Sequence, residues 1–89
     1  MLNEENVIMM SEIEMNYDVE LDASGLSCPM PIMKLSKAIK SMQSGQVLKL
    51  IGTDPGSLED VPKWCKRTGN ELLQIDSKSG INNFFIKKK

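Results

Sequence analysis

One short stretch of this chain has the residue types and spacing for covalent chemistry: Cys28–Pro29–Met30–Pro31. A cysteine acts as a nucleophile only as its thiolate, so the question is what lowers its pKa. The chain contains no histidine, which excludes Cys–His and Ser–His pairs and every histidine metal ligand. What remains is the backbone. A helix beginning at Cys28 would set its sulfur at the positive end of the helix dipole. With Cys28 as N-cap, Pro29 and Pro31 take the first and third helical positions, where a missing N–H costs nothing. The Met30 N–H is then the one donor left in that trio, and it is expected to point at the sulfur. The dipole contributes ~0.3–1 kcal/mol at exposed sites. That amounts to less than one pKa unit, so a moderately lowered thiol is expected. The competing reading is a small buried cysteine, since free cysteines are usually interior. A loop-to-helix junction flanked by Gly25, Ser27 and two prolines argues instead for a protruding, reactive sulfur.

The other chemistry-bearing residues each carry two readings. Cys65 falls on the apolar side of a second helical pattern, as a core residue or as a second thiol that resolves Cys28 into a disulfide. Lys34, Lys37 and Lys40 make one side of the helix after Cys28 basic, with no acid between Pro29 and Met42. That side is either a solvated face or a docking surface for an acidic partner beside the sulfur. Asp22 and Asp54 follow strand patterns and either line the site or serve the turns, and the turn reading is preferred for both. Trp64 is read as packing or partner contact, because with only Tyr17, Phe84 and Phe85 besides, stacking on RNA is weakly supported. Lys87 to Lys89 is read as a frayed basic end. Two cysteines cannot complete a four-ligand zinc site, and no phosphate loop or dinucleotide glycine pattern is present. No metal and no cofactor are expected.

The elements that must position Cys28 follow from periodicity. Tyr17, Val19 and Leu21 alternate with Asp18, Glu20 and Asp22, the pattern of a half-buried strand. Residues 23–27 form a loop in which Gly25 can take backbone angles closed to other residues. Ile32, Leu35, Ile39 and Met42 then form one apolar helical stripe, stopped at Gly45. Gln46 to Thr53 reads as a central strand. After the Asp54–Pro55–Gly56 turn, Ser57 and Asp60 resemble a capping box. Leu58, Val61, Cys65 and Thr68 give a second stripe, with Pro62 inside it and Gly69 as its stop. Glu71 to Asp76 and Ile81 to Ile86 flank a Ser77–Gly80 turn as a hairpin. The order β-α-β-α-β-β predicts an α+β, two-layer sandwich: a mixed four-stranded sheet with two helices on one face.

Size and charge bound the rest. The 89 residues suit one small domain. Residues 1–16 hold four acids (Glu4, Glu5, Glu12, Glu14) and no base, and are read as a poorly ordered acidic tail preceding a 17–89 domain, or else as a short extra helix or strand docked on it through Val7, Ile8 and Ile13. Met9, Met10 and Met15 are alternative starts within it. Residues 17–89 carry eight acids against eleven bases, about +3, which suits acidic partners or plain solvation. No apolar run approaches a membrane span. The first residues do not resemble a signal peptide, and two cysteines without one suggest a reducing, cytoplasmic setting with free thiols. With no spare apolar stripe, a monomer is expected.

The stretch Leu21–Asp22–Ala23–Ser24–Gly25–Leu26–Ser27–Cys28–Pro29–Met30–Pro31 resembles the signature of the TusA/SirA/YedF-type sulfur carriers: a strand ending in Asp, then Gly-Leu-x-Cys-Pro-x-Pro opening a helix. The resemblance continues through Met42–Gln43–Ser44–Gly45, the Asp54–Pro55 turn and Val61–Pro62 before Cys65, over about residues 17–87. It implies the βαβαββ sandwich already read from the pattern. It also implies that Cys28 takes sulfane sulfur from a cysteine desulfurase or rhodanese-like donor, holds it as a persulfide and passes it to an acceptor protein. In TusA proper that route leads to tRNA thiolation; related members serve other routes. The chemistry agrees, because thiol exchange at sulfur needs no general base. A thiol redox protein using Cys28 with Cys65, and a binding or regulatory module with a dispensable Cys28, are the alternatives.

Overall fold

The computed structural model describes residues 16–89, so the reading of residues 1–15 as an acidic tail lies outside the described residues. Six elements follow in the order expected: β1 (Val19–Ala23), α1 (Met30–Lys40), β2 (Val47–Gly52), α2 (Ser57–Thr68), β3 (Glu71–Lys78) and β4 (Ile81–Lys87). The sheet order is β1-β2-β4-β3. β1 and β2 run parallel, since α1 carries the chain back across the sheet between them. β4 pairs antiparallel with both β2 and β3.

Alternation decides which face is covered. Val19, Leu21 and Ala23 pair with Leu48, Leu50 and Gly52, and Leu48 and Leu50 pair with Ile86 and Phe84. This face meets Leu35, Ile39 and Met42 from α1 and its C-terminal turn, and Val61, Trp64 and Cys65 from α2, in one core. The predicted two-layer mixed sandwich is therefore the fold found. Leu35, Leu48, Val61, Phe84 and Ile86 are fully buried. Each contributes about 1.5–3 kcal/mol relative to exposure. The opposite face is lighter: Lys49 pairs with Phe85, and the Lys49 ammonium sits over the Tyr17 and Phe85 rings at 5.2 and 5.9 Å.

Several local expectations are corrected. α1 ends at Lys40 and not at Gly45: the Ser41 N–H turns to the Ala38 carbonyl and the Met42 N–H to Ile39, tightening the last turn. In α2 the buried side is Ser57, Val61, Trp64 and Cys65, while Leu58 and Thr68 are exposed. A capping box does not form, because no side chain caps α2, and Pro62 is accommodated inside the helix. The helix does stop at Gly69, whose φ of 83° is the left-handed conformation glycine allows at this position. The hairpin strands run longer than expected and turn tightly through Ser79 and Gly80, both at positive φ (54° and 80°). The lysine end is not frayed. The Lys88 N–H and carbonyl pair with Gln46 and Gly45, and its ammonium donates to the Ile39 carbonyl at 2.8 Å, at the negative end of α1.

Candidate functional site

The topology brings two loops together. β1 and β2 are parallel, so the loops that follow them leave the sheet at the same end, and the starts of α1 and α2 sit side by side. Two hydrogen bonds join these loops, and a third runs from the first loop to the first turn of α2. The Gly25 N–H donates to Thr53 Oγ1 at 2.8 Å. The Cys28 N–H donates to Asp54 Oδ2 at 3.2 Å. The Cys28 thiol donates to Asp60 Oδ2 at 2.9 Å. Gly25 lies at φ 81°, which lets the first loop turn back toward the second. Gly56 has an ordinary φ of −63°, so its value here is space. A Cβ there would lie 3.2 Å from Asp54 Oδ2 and 3.7 Å from Cys28 Sγ.

Cys28 is half-buried. It is not the N-cap of α1: that position falls to Pro29, α1 begins at Met30, and the Cys28–Pro29 bond is cis. The Met30 N–H donates to the Ser27 carbonyl at 2.9 Å and not to the sulfur. The expected proline-framed donor at Cys28 is therefore overturned. Pro31 sits in the first turn of α1, where its missing N–H leaves nothing unpaired, and its ring is buried.

The electrostatics also reverse the expected sign. Cys28 is pushed up to about 12, first by its hydrogen bond to Asp60, then by Asp54. Two carboxylates at hydrogen-bond range outweigh a helix dipole worth a fraction of a pKa unit. The Cys28 thiol, followed by its N–H, holds Asp54 below the usual carboxylate range. Asp22 is lowered chiefly by the Ser24 hydroxyl, which donates to it at 2.6 Å, and behaves as the turn residue expected.

The sequence reading places neither Asp60 nor Thr53 at the site, and for Asp54 it prefers the turn to the site. The available signal was topological: a parallel strand pair puts the residues after each strand at one end. Glu59, beside Asp60, is turned instead to Lys63 at 3.3 Å.

Cys65 is buried in the core and pushed up to about 11 by that burial. Trp64 is buried, with its indole N–H donating to Ser36 Oγ at 3.0 Å. Lys34 and Lys37 line an open groove of about 470 Å³ with Leu21, Ala38 and Ser41, between α1 and the edge strand β1. Around the two helix starts, Met30, Met33 and Leu58 stand 44%, 58% and 41% exposed. No helix among the described residues is long and apolar enough to cross a membrane.

Residues 19–88 match the family model described as sulfurtransferase TusA. The chain is 51% identical over 73 residues to the sulfur carrier protein TusA of Allochromatium vinosum, covering 82% of this chain and 96% of that protein. It is 44% identical over 73 residues to the sulfur carrier protein TusA of Pseudomonas entomophila, covering 82% and 91%. A SirA-like protein from Desulfitobacterium hafniense has the same fold, with a TM-score of 0.69 at 21% identity over 79% of this chain and 96% of that one. The chain belongs to the TusA family.

Proposed function

We propose that this member of the TusA family carries sulfane sulfur as a persulfide on Cys28 and relays it between two partner proteins. The observation that carries the reading is the setting of Cys28. It lies at the end of the sheet where both helices begin, and Met30, Met33 and Leu58 are exposed on the first turns of those helices. Exposed apolar side chains at the end of the molecule that carries the sulfur suit a transient protein contact. Gly25, Pro29 and Pro31 shape the loop that holds the sulfur there.

The transfer is a displacement at sulfur. The Cys28 thiolate attacks the terminal sulfur of a donor persulfide on a cysteine desulfurase or rhodanese-like protein. A new S–S bond forms at Cys28, the donor's S–S bond breaks, and the donor cysteine leaves as a thiolate. An acceptor protein's thiolate later attacks the outer sulfur of Cys28–S–SH in the same way, returning Cys28. No electrons are lost or gained overall, and no cofactor is needed in this chain. The acceptor belongs to a tRNA thiolation route or to another sulfur route. Lys34 and Lys37 give an acidic partner surface a complementary face beside the site.

The test is loading with a cysteine desulfurase, its cofactor and cysteine. After desalting, the sulfide released by reductant is measured. Wild type is expected to release about one sulfide per chain, and Cys28→Ser none. Equal release from both would remove Cys28 from the function.

A further inference from the structure

A thiolate is required for each transfer, yet the sulfur sits 2.9 Å from Asp60 Oδ2. Two anions are not held at that distance without a proton between them. The arrangement therefore fits the neutral thiol, with its S–H donated to the carboxylate. Asp54 adds a second negative group at the Cys28 backbone. The helical cations near the site face other groups: Lys63 is 3.3 Å from Glu59, and Lys34 acts on Asp22.

We propose that Asp60 and Asp54 hold Cys28 as a protonated, weakly nucleophilic thiol in the free carrier, and that a lysine or arginine of the partner protein, seated against these carboxylates, releases the thiolate. This rests on Cys28 being the carrier residue. Asp60 and Asp54 are positioning residues: they act on the sulfur and touch no transferred atom. When the partner's cation pairs with Asp60, the carboxylate gives up the S–H bond. The proton passes to solvent, and the electron pair stays on sulfur. The free carrier is thereby protected from stray alkylation and oxidation, and it reacts where a partner is docked. The surface fits such a partner. Asp54, Glu59 and Asp60 make the start of α2 acidic, while Lys34 and Lys37 make the flank of α1 basic. The complementary partner presents a cation opposite α2 and acidic groups opposite α1. Gly56 leaves room for the arrangement, since a Cβ there would crowd the Asp54 carboxylate at 3.2 Å and pack against the sulfur at an ordinary contact distance of 3.7 Å.

The experiment needs no sulfur donor, so its outcome is separate from that of the loading test. Labelling of Cys28 is followed by peptide mass with a neutral reagent, iodoacetamide, across pH. It is then followed with a cationic and an anionic methanethiosulfonate reagent. Lowering a thiol's pKa by one unit raises its rate below that pKa by about three- to fourfold, because the gain in thiolate exceeds the loss of nucleophilicity. Asp60→Asn is therefore expected to alkylate about tenfold faster near pH 8, with its pH profile moved to lower pH. Asp54→Asn is expected to move the same way by less. Wild type is expected to prefer the cationic reagent about tenfold more than 2-mercaptoethanol does, and both substitutions should reduce that preference. The wild-type preference stands as a test even if a variant folds poorly. A wild-type preference equal to that of 2-mercaptoethanol, or pH profiles unchanged in both variants, would overturn the proposal.

Discussion

The two cysteines of this chain occupy opposite kinds of environment, and the contrast separates burial from control. Both thiols are pushed up, Cys28 to about 12 and Cys65 to about 11. For Cys65 the cause is burial among apolar neighbours. For Cys28 it is two carboxylates on a half-buried sulfur. Burial is fixed by the fold, whereas a carboxylate can be neutralised by a visiting cation. One thiol is silent for as long as the protein is folded, and the other is silent only while the site is unpartnered.

The largest expected effect that sharpens this contrast is on sulfur loading. Cys28→Ser should abolish it, while Cys65→Ala should load as wild type and lose only about 1–2 kcal/mol of stability to the cavity it leaves. Urea unfolding and sulfide release measure the two separately. Comparable loading losses in both would break the contrast. Next comes Leu35→Ala, at a fully buried position of α1. It should cost about 2–5 kcal/mol in urea unfolding, while the folded fraction keeps the wild-type rate of Cys28 alkylation.

Charge reversal at Lys34 and Lys37 together is a smaller perturbation. It is expected to slow sulfur transfer from a desulfurase several-fold at low salt, with the difference shrinking as salt is added. Equal rates at low salt would leave these lysines as a solvated face. The smallest effect concerns alkaline pH. Both folded thiols titrate above the ordinary thiol value of 9.0, so between there and about 11–12 the folded state holds more protons than the unfolded. Their contribution to stability is complete below that window and is lost as pH rises through it. Cys65→Ala should make the decline shallower in thermal melts taken across this range.

Much of the scaffold was legible because it rests on local periodicity. The Leu35, Ile39, Met42 stripe, the near-continuous Val47 to Ile51 strand and the glycine stop at Gly69 each follow from residues close in sequence. The family signature around Cys28 was legible in the same way. What sequence reading missed depends on partners far along the chain. Asp60 lies 32 residues from Cys28, and its position three after Ser57 suggested helix capping, a local role. The Lys88 ammonium on the Ile39 carbonyl spans 49 residues, so a terminal lysine run looked frayed. Counting helix positions from Cys28 points the Met30 N–H at sulfur. The chain takes one more residue before entering α1, and that N–H pairs with Ser27 instead. Fold was set by patterns, and the electrical state of the site by a tertiary contact.

The most direct test of the central claim is site-resolved. The protein is loaded by a cysteine desulfurase with cysteine, trapped with an alkylating agent and digested, and the peptides bearing Cys28 and Cys65 are weighed. The account predicts one extra sulfur atom, about 32 Da and removable by reductant, on the Cys28 peptide, with Cys65 unmodified. Extra sulfur on Cys65, or none on either peptide with donors that load other family members, would contradict it.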